Sequence, residues 1–469
     1  MTDFSLYQSP FSWRYGSPQM RLIWSEENKR RLWRRIWVAL AKVESGFGLV
    51  RVEQVRDLEE HAEEIDLARS MQVEAQIHHD LMAEVKVFAA QCPKGGGIIH
   101  FGATSMDVKD NAEVLQMRQS MDLLLDKLKG LLLRFAEQIE TYADMPCMAF
   151  THLQPAEPTT LGYRFASYAQ DLLDDWEELS LRRASLRGKG FKGAVGTAAS
   201  YAELVGVNNL EKFELGLSEA LGLEFFPVST QTYTRKQDYQ ILSALAGMGI
   251  TLYKFAVDLR LLQSPPVGEW AEPFAEQQVG SSAMPFKRNP IKAEEINSLC
   301  RLLAHIPLTA WHNAANSFLE RTLDDSANRR ALLPESFLIC DEILEVAKRI
   351  LDGLTVNVPA IRRNMATYAP FANTERLLML LVKAGADRQA MHARLRQHAL
   401  AVWQALQEGQ AQDLSERLER DGELVKFVPA EKIRQVMQGE GYTGLAAQRA
   451  RWMAEHIRLK VSGTDKMLK

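Results

Sequence analysis

The stretch Ile241-Leu-Ser-Ala-Leu245-Ala-Gly-Met248-Gly-Ile-Thr-Leu252-Tyr-Lys-Phe255-Ala-Val-Asp-Leu259-Arg-Leu-Leu262 decides the fold class. Its apolar residues at 241, 245, 248, 252, 255, 259 and 262 advance by alternating steps of four and three, which places them on one stripe of a helix. Such a stripe buries itself against other helices. The same stepping recurs in Met121, Leu125, Leu128, Leu132, Phe135 and Ile139, and, slightly imperfectly, in Leu161, Phe165, Tyr168, Leu172, Trp176 and Leu179. It returns in Ile296, Leu299, Leu303, Ile306 and Ala310, then in Leu333, Phe337, Cys340, Leu344, Ala347 and Leu351. No stretch between about residues 105 and 355 shows the period-two alternation of a half-buried strand. The pattern predicts an all-α chain with a central bundle of five long helices, and helices of this length bury further faces by recruiting other subunits.

Outside the bundle, Glu26 to Leu49 and Asp57 to Ala90 read as shorter helices, with a break at Cys92-Pro-Lys-Gly-Gly-Gly97; from about Val358 onward the helices are again shorter and more charged. Three helical domains are expected: 1–104, 105–357 and 358–469.

Lys and Arg number 56 against 60 Asp and Glu, so the net charge of −4 gives no general attraction to nucleic acid or to an anionic membrane. Any anion site must be local. The most apolar long stretch, Ala244 to Leu262, is interrupted by Lys254, Asp258 and Arg260, which would be costly at bilayer depth. Met1 to Gln8 contains Asp3 and lacks the basic start and apolar run of a secretory signal, so the mature chain is expected to begin near Met1. The four cysteines, Cys92, Cys147, Cys300 and Cys340, form no CxxC pair, which fits a reducing cytosol better than a disulfide framework or a zinc knuckle. Of the ten histidines only His78 and His79 are adjacent, without an obvious third metal ligand. A soluble, cytoplasmic protein is expected, with no metal and no cofactor.

The connections between the long helices are rich in Gly and polar residues: Gly102 to Asp107, Thr151 to Thr160, Gly188 to Ser200, Val279 to Pro290 and Glu320 to Arg330. Long ordered loops at the ends of rigid helices are where function usually sits. In Gly280-Ser-Ser-Ala-Met-Pro-Phe-Lys-Arg-Asn-Pro290, Ser281 and Ser282 offer hydroxyls, Lys287 a charge, and Asn289-Pro290 reads as the N-cap and first turn of the helix through Ile296. A hydroxyl near a cation and a helix N-terminus is favoured as an alkoxide. Pattern alone leaves this reading level with that of a flexible loop capped by Asn289. The run Gly188-Lys-Gly-Phe-Lys-Gly193 follows no strand and has neither Walker nor Rossmann spacing, so it reads as a loop approaching the active site, not a phosphate cradle.

The string from Gly280 to Pro290 resembles the signature loop of the fumarase and aspartase superfamily. Further segments make the chain similar to the adenylosuccinate lyase family within it: Ser9-Pro-Phe-Ser-Trp-Arg-Tyr15, Ile98-Ile-His-Phe-Gly-Ala-Thr-Ser105, Thr151-His-Leu-Gln-Pro-Ala156, Gln231-Thr-Tyr-Thr-Arg-Lys236 and Glu320-Arg-Thr-Leu-Asp-Asp-Ser-Ala-Asn-Arg-Arg330, with a weaker match at Tyr442-Thr-Gly444. The resemblance implies elimination of fumarate from adenylosuccinate to give AMP, and from the succinylated aminoimidazole carboxamide ribotide SAICAR to give AICAR. It also implies a homotetramer whose active sites are shared between subunits. To break a C–N bond beta to a carboxylate, a base must take a weakly acidic C–H proton, cations or dipoles must hold the carbanion, and an acid must protonate the leaving nitrogen.

By resemblance Ser281 is the base, with Ser282 as the alternative, Lys287 and Asn289 stabilise the carbanion, and His152 is the acid. A plainer reading makes His152 a loop residue capping the helix after Pro158. His79, in His78-His79-Asp80, assists the acid or meets the phosphate end with His78 and Asp80; otherwise this is a solvated turn. Arg14 and Tyr15 are implied for the nucleotide, Thr104 and Ser105 for a carboxylate, Gln231 for the succinyl part, and Arg321, Ser326 and Arg330 for the nucleotide and its phosphate. Related chains often carry arginine where this one has His78 and Glu295, so Glu295 is left outside the expected site. The rival readings are an argininosuccinate lyase, fumarase or aspartase type of enzyme, and a catalytically silent helical scaffold.

Overall fold

The computed structural model describes residues 4–438 and 441–463; Met1 and Asp3, on which the reading of the N-terminus drew, lie outside them. Four of the five stripes lie on single helices, Ser105–Thr141, Leu161–Ala184, Lys236–Gln263 and Asp325–Asp352. All seven stripe residues from Ile241 to Leu262 are buried, as are all six from Leu333 to Leu351. The remaining stripe is not one helix. It breaks after Leu303, and a second helix, Ile306–Ala315, restarts with Pro307 in its first turn. Proline supplies no amide hydrogen and fits that position, while the break leaves the apolar phase from Leu299 to Ala310 undisturbed.

The chain folds as two compact units: Met1–Leu128 with Asp174–Tyr253 and Glu295–Val346, and Lys129–Leu173 with Lys254–Glu294 and Ala347–Lys469. In the first, Trp24 stacks on Phe337 with ring centroids 5.6 Å apart, and Ser17 N donates to Asp341 Oδ2 at 2.5 Å. Thr251 Oγ1 donates to Asp175 Oδ2 at 2.6 Å. In the second, Phe135 meets Phe255 at 5.5 Å and Phe165 at 6.5 Å, and Phe165 lies flat on Trp270 at 4.7 Å. A separate core gathers Leu377, Leu381, Leu395, Leu418 and Ile433.

Helix Lys236–Gln263 is long and apolar enough to cross a membrane by length and composition, yet half of its most apolar window is buried in the protein and its stripe is core. Lys254 pairs with Asp258, which also accepts the Tyr168 hydroxyl at 2.6 Å.

Two small antiparallel sheets depart from the expectation of no strands. Pro146–Thr151 pairs with Gln154–Thr160, from Pro146 opposite Thr160 to Thr151 opposite Gln154 with a one-residue register shift between Met148 and Phe150, and Trp270–Ala271 pairs with Thr355–Val356. Pro155 and Pro158 break the alternation that would have marked the second strand, and prolines at such positions belong to an edge.

Glu44 is a defect in the first unit's core. Its carboxyl is 1% exposed, both oxygens lack a hydrogen-bond partner, and burial pushes it up to about 8. The native state therefore holds this proton across a range where the unfolded chain, titrating near 4.5, has lost it, so Glu44 erodes stability as pH rises from about 4.5 to about 8. Glu44→Gln is expected to stabilise the protein by about 2 kcal/mol at pH 8 and by much less near pH 5, read from denaturant unfolding at the two pH values.

Candidate active site

In the second unit, the loop from Gly280 to Pro290 is closed at its neck. Asn289 Nδ2 donates to the Gly280 carbonyl at 3.1 Å, and a Cβ on Gly280 would fall 2.2 Å from the Lys287 carbonyl oxygen, so only glycine fits. Inside the loop Ser281 Oγ accepts the amides of Ala283 at 3.3 Å and Met284 at 3.1 Å. Lys287 N donates to the Met284 carbonyl at 3.1 Å, and the Lys287 and Ser282 side chains are exposed.

The expected cap is corrected. The helix begins at Ile291, and its first free amides, Lys292 N and Ala293 N, go to the Glu272 carboxylate at 3.1 and 3.0 Å. Burial raises the Glu272 carboxyl and those two amide bonds pull it back only partly. Gln263 ties this base together, accepting from Glu272 N at 2.9 Å and donating to the Arg288 carbonyl at 3.2 Å. Asn289 is left to hold the loop shut.

His152 is also placed otherwise than as a helix cap. It and Leu153 form the two-residue turn of the first hairpin, with φ of 53° and 60°. A turn with both central residues left-handed favours Asn-Gly, so His-Leu is strained there, and the imidazole stands exposed at the tip. The following helix is capped by Thr160, whose Oγ1 accepts Tyr163 N at 3.2 Å. Among the described residues no hydrogen bond joins His152 to Ser281.

The first unit gathers the residues expected for the nucleotide. Ser9 and Pro10 fold the N-terminal turn: Arg14 N and Tyr15 N both donate to the Pro10 carbonyl, and the Arg14 guanidinium lies 5.8 Å from the ring centroids of Trp13 and Tyr15. Gly16 N then donates to Glu342 Oε2 at 2.8 Å. Gln231 N donates to the Glu320 carbonyl at 3.2 Å, which sets Gln231 beside Arg321; Arg321 in turn holds Asp325 at 2.9 Å, one residue before Ser326.

His78 ends helix Leu67–Ile77 in a left-handed conformation, and His79 caps helix Asp80–Gln91 by accepting Met82 N on Nδ1 at 3.3 Å. Asp80 meets Arg330, 250 residues away, at 3.3 Å, and Lys109 at 2.8 and 3.1 Å. Burial alone would raise the Asp80 carboxyl, but Lys109, the Leu81 amide and Arg330 hold it at about 2. Sequence reading passed over Lys109. No local signal marks it, because its partner Asp80 lies 29 residues away on another helix.

Thr104 and Ser105 open helix Ser105–Thr141, and Thr104 N donates to Asp107 Oδ2 at 3.0 Å. The Gly188–Gly193 run wraps Asp107: Lys189 Nζ pairs with the buried carboxylate, and Lys192 N and Gly193 N each donate to it at 3.2 Å. Those amides are spent on protein, which agrees with the run being no phosphate cradle.

Residues 18–303 match the Lyase family and residues 370–451 match the family of adenylosuccinate lyase C-termini. The chain is 40% identical over 405 residues to an adenylosuccinate lyase of Schistosoma mansoni, covering 85% of this chain and 84% of that one. It is 38% identical over 458 residues to an adenylosuccinate lyase of Saccharomyces cerevisiae, covering 96% and 94%. The chain belongs to the adenylosuccinate lyase family. Among solved structures it is similar to the 3-carboxy-cis,cis-muconate lactonizing enzyme of Pseudomonas putida, with a TM-score of 0.84 at 25% identity over 96% of this chain and all of that one. A fumarate lyase from Mesorhizobium shares the fold, with a TM-score of 0.84 at 22% identity over 96% and 99%.

The neck of the loop gives a direct test. Gly280→Ala must push the Lys287 carbonyl away, so fumarate release is expected to fall at least about a hundredfold. The melting temperature should stay within about 2 °C, because the loop is largely exposed. Full activity in the variant would show that the neck geometry does not matter.

Proposed function

We propose that the chain cleaves adenylosuccinate to AMP and fumarate, and SAICAR to AICAR and fumarate. The observation that carries the reading is the family match across most of the chain, joined to a glycine-closed loop in which one serine oxygen accepts two backbone amides. Two N–H donors on Ser281 Oγ favour its charged form, a support that exposed Ser282 does not have. Local geometry thus favours Ser281 over Ser282 as the base.

In the proposed step Ser281 takes the proton from the carbon beside the carboxylate, and that C–H pair becomes the new double bond. The C–N pair leaves with nitrogen, which takes a proton from His152. Lys287 and Asn289 offset the charge on the carboxylate-stabilised carbanion. Arg14, Tyr15, Gln231, Arg321 and Ser326 hold the nucleotide and succinyl parts, Thr104 and Ser105 at their helix N-terminus take a carboxylate, and His78, His79, Asp80 and Arg330 form the phosphate end. None of these steps calls on a metal or a cofactor.

A homotetramer with shared sites is part of the proposal. The candidate loops expose large apolar side chains, with Val279 79%, Phe286 83%, Leu319 89% and Leu323 72% exposed, which suits surfaces that other copies cover. The division near residues 104 and 357 belongs to it too, the first part supplying Arg14 and His79 and the last Tyr442 to Gly444. So does residence in the cytoplasm, where purine nucleotides are made.

Purified chain incubated with adenylosuccinate, argininosuccinate, malate or aspartate should release fumarate from adenylosuccinate; release from argininosuccinate alone, or from none, would sink the reading. Ser281→Ala is expected to lower kcat at least about a thousandfold while substrate binding stays within about threefold. Unchanged turnover would move the base elsewhere.

A further inference from the structure

Lys109 lies outside the short motifs on which the resemblance was read, yet it is the closest charged partner of Asp80. Its Nζ donates to both carboxylate oxygens, at 3.1 and 2.8 Å, and sits 5.9 Å from the ring centroid of the buried Trp33. The Leu81 amide adds a bond to Oδ1 at 2.8 Å, and Arg330 reaches Oδ2 with a single longer bond of 3.3 Å. The Arg330 side chain is 59% exposed, whereas those of Lys109 and Asp80 are 21% and 14% exposed.

The charge balance gives this arrangement its meaning. With one cation, Asp80 and Arg330 would neutralise each other, and an incoming phosphate would have to compete with the carboxylate for the guanidinium. A second cation that saturates Asp80 leaves the group with one positive charge, carried outward by the loosely held Arg330. We infer that Lys109 is a positioning residue for the substrate's phosphate: it pins Asp80, and through Asp80 it orients Arg330 and keeps its charge available to a phosphate monoester.

This inference rests on the proposed nucleotide substrate, so the test separates the two. AMP and adenosine binding are measured by calorimetry, and KM and kcat for adenylosuccinate by fumarate release, on wild type, Lys109→Met and Lys109→Arg. The Met variant should bind AMP about tenfold more weakly and raise KM about tenfold, with kcat within about threefold. Adenosine binding should not change, and the Arg variant should recover most of the loss. A merely structural role would weaken AMP and adenosine alike, or lower kcat at unchanged KM, and either result overturns the inference. Should the Met variant fail to fold, Lys109→Gln, which keeps a hydrogen bond to Asp80 without the charge, is held to the same expectations. Wild type that neither binds AMP nor cleaves adenylosuccinate overturns the function itself; wild type that does both, with an indistinguishable Met variant, overturns only the role of Lys109.

Discussion

The first turns of helix Ser105–Thr141 carry five polar side chains that between them hold four other parts of the first unit. Asp107 holds the Gly188–Gly193 run, Lys109 holds Asp80, and Asn111 exchanges bonds with Gly190 through its side-chain amide, accepting at 3.1 Å and donating at 3.2 Å. Asp110 receives Arg235 at 3.1 Å and Tyr233 N at 2.9 Å, and Glu113 pairs with Arg329 at 2.8 Å. Arg235 also holds Asp325 at 2.8 Å, which anchors the start of helix Asp325–Asp352 and so the segment with Arg321, Ser326 and Arg330. One helix end thus sets the frame for most of the candidate nucleotide residues. Asp107, Asp110 and Arg235 are buried, so removing any single partner would strand a charge in the core, a loss of about 3–5 kcal/mol. Buried pairs of this kind add little net stability; what they fix here is which loops stand beside the helix N-terminus.

The second unit secures its loop with fewer charges and more backbone. Gln263, Glu272, Asn289 and the missing side chain of Gly280 act together: three close the base and neck, and the glycine lets two carbonyl-bearing strands of the loop approach. The result is a closed neck with an exposed tip, on which Ser281 is held by two backbone amides and the Lys287 side chain is exposed. Glu272 takes the amides at the helix start, and the side chains of Ser282 and Lys287 stay exposed at the tip.

Much of the architecture was legible because burial obeys the helical period. Every stripe residue is buried except Leu125, Trp176 and Ile306, which are half-buried. What periodicity missed is what it cannot encode. The break after Leu303 keeps the stripe in phase, so nothing in the spacing marks it. The hairpin at 146–160 is held by two edges of backbone with prolines in one strand, and its alternation is erased. The cap on helix Ile291–Leu303 comes from Glu272, nineteen residues before Ile291, where a local rule sees only Asn289. The candidate site was legible in the same uneven way: Asp80 and Arg330 stand in the expected set and form an ion pair at 3.3 Å, whereas Lys109 becomes visible only once Asp80 is seen beside it.

Backbone strain ties these observations together. Among the described residues, the non-glycine positions with positive φ are His78, His100, His152, Leu153, Ala198 and Leu319. His152 and Leu153 form the hairpin tip, His78 sets the turn into His79 and Asp80, His100 lies before Thr104, and Leu319 leads into the segment carrying Arg321. Each such residue costs on the order of 1 kcal/mol and persists only where the surroundings over-determine it. His100 shows how: its Nδ1 accepts the indole hydrogen of buried Trp37 at 3.1 Å, and burial keeps its imidazole on the neutral side. The strained turn at His100 is thus held by a side-chain partner far away in sequence, which is the over-determination that such a residue needs.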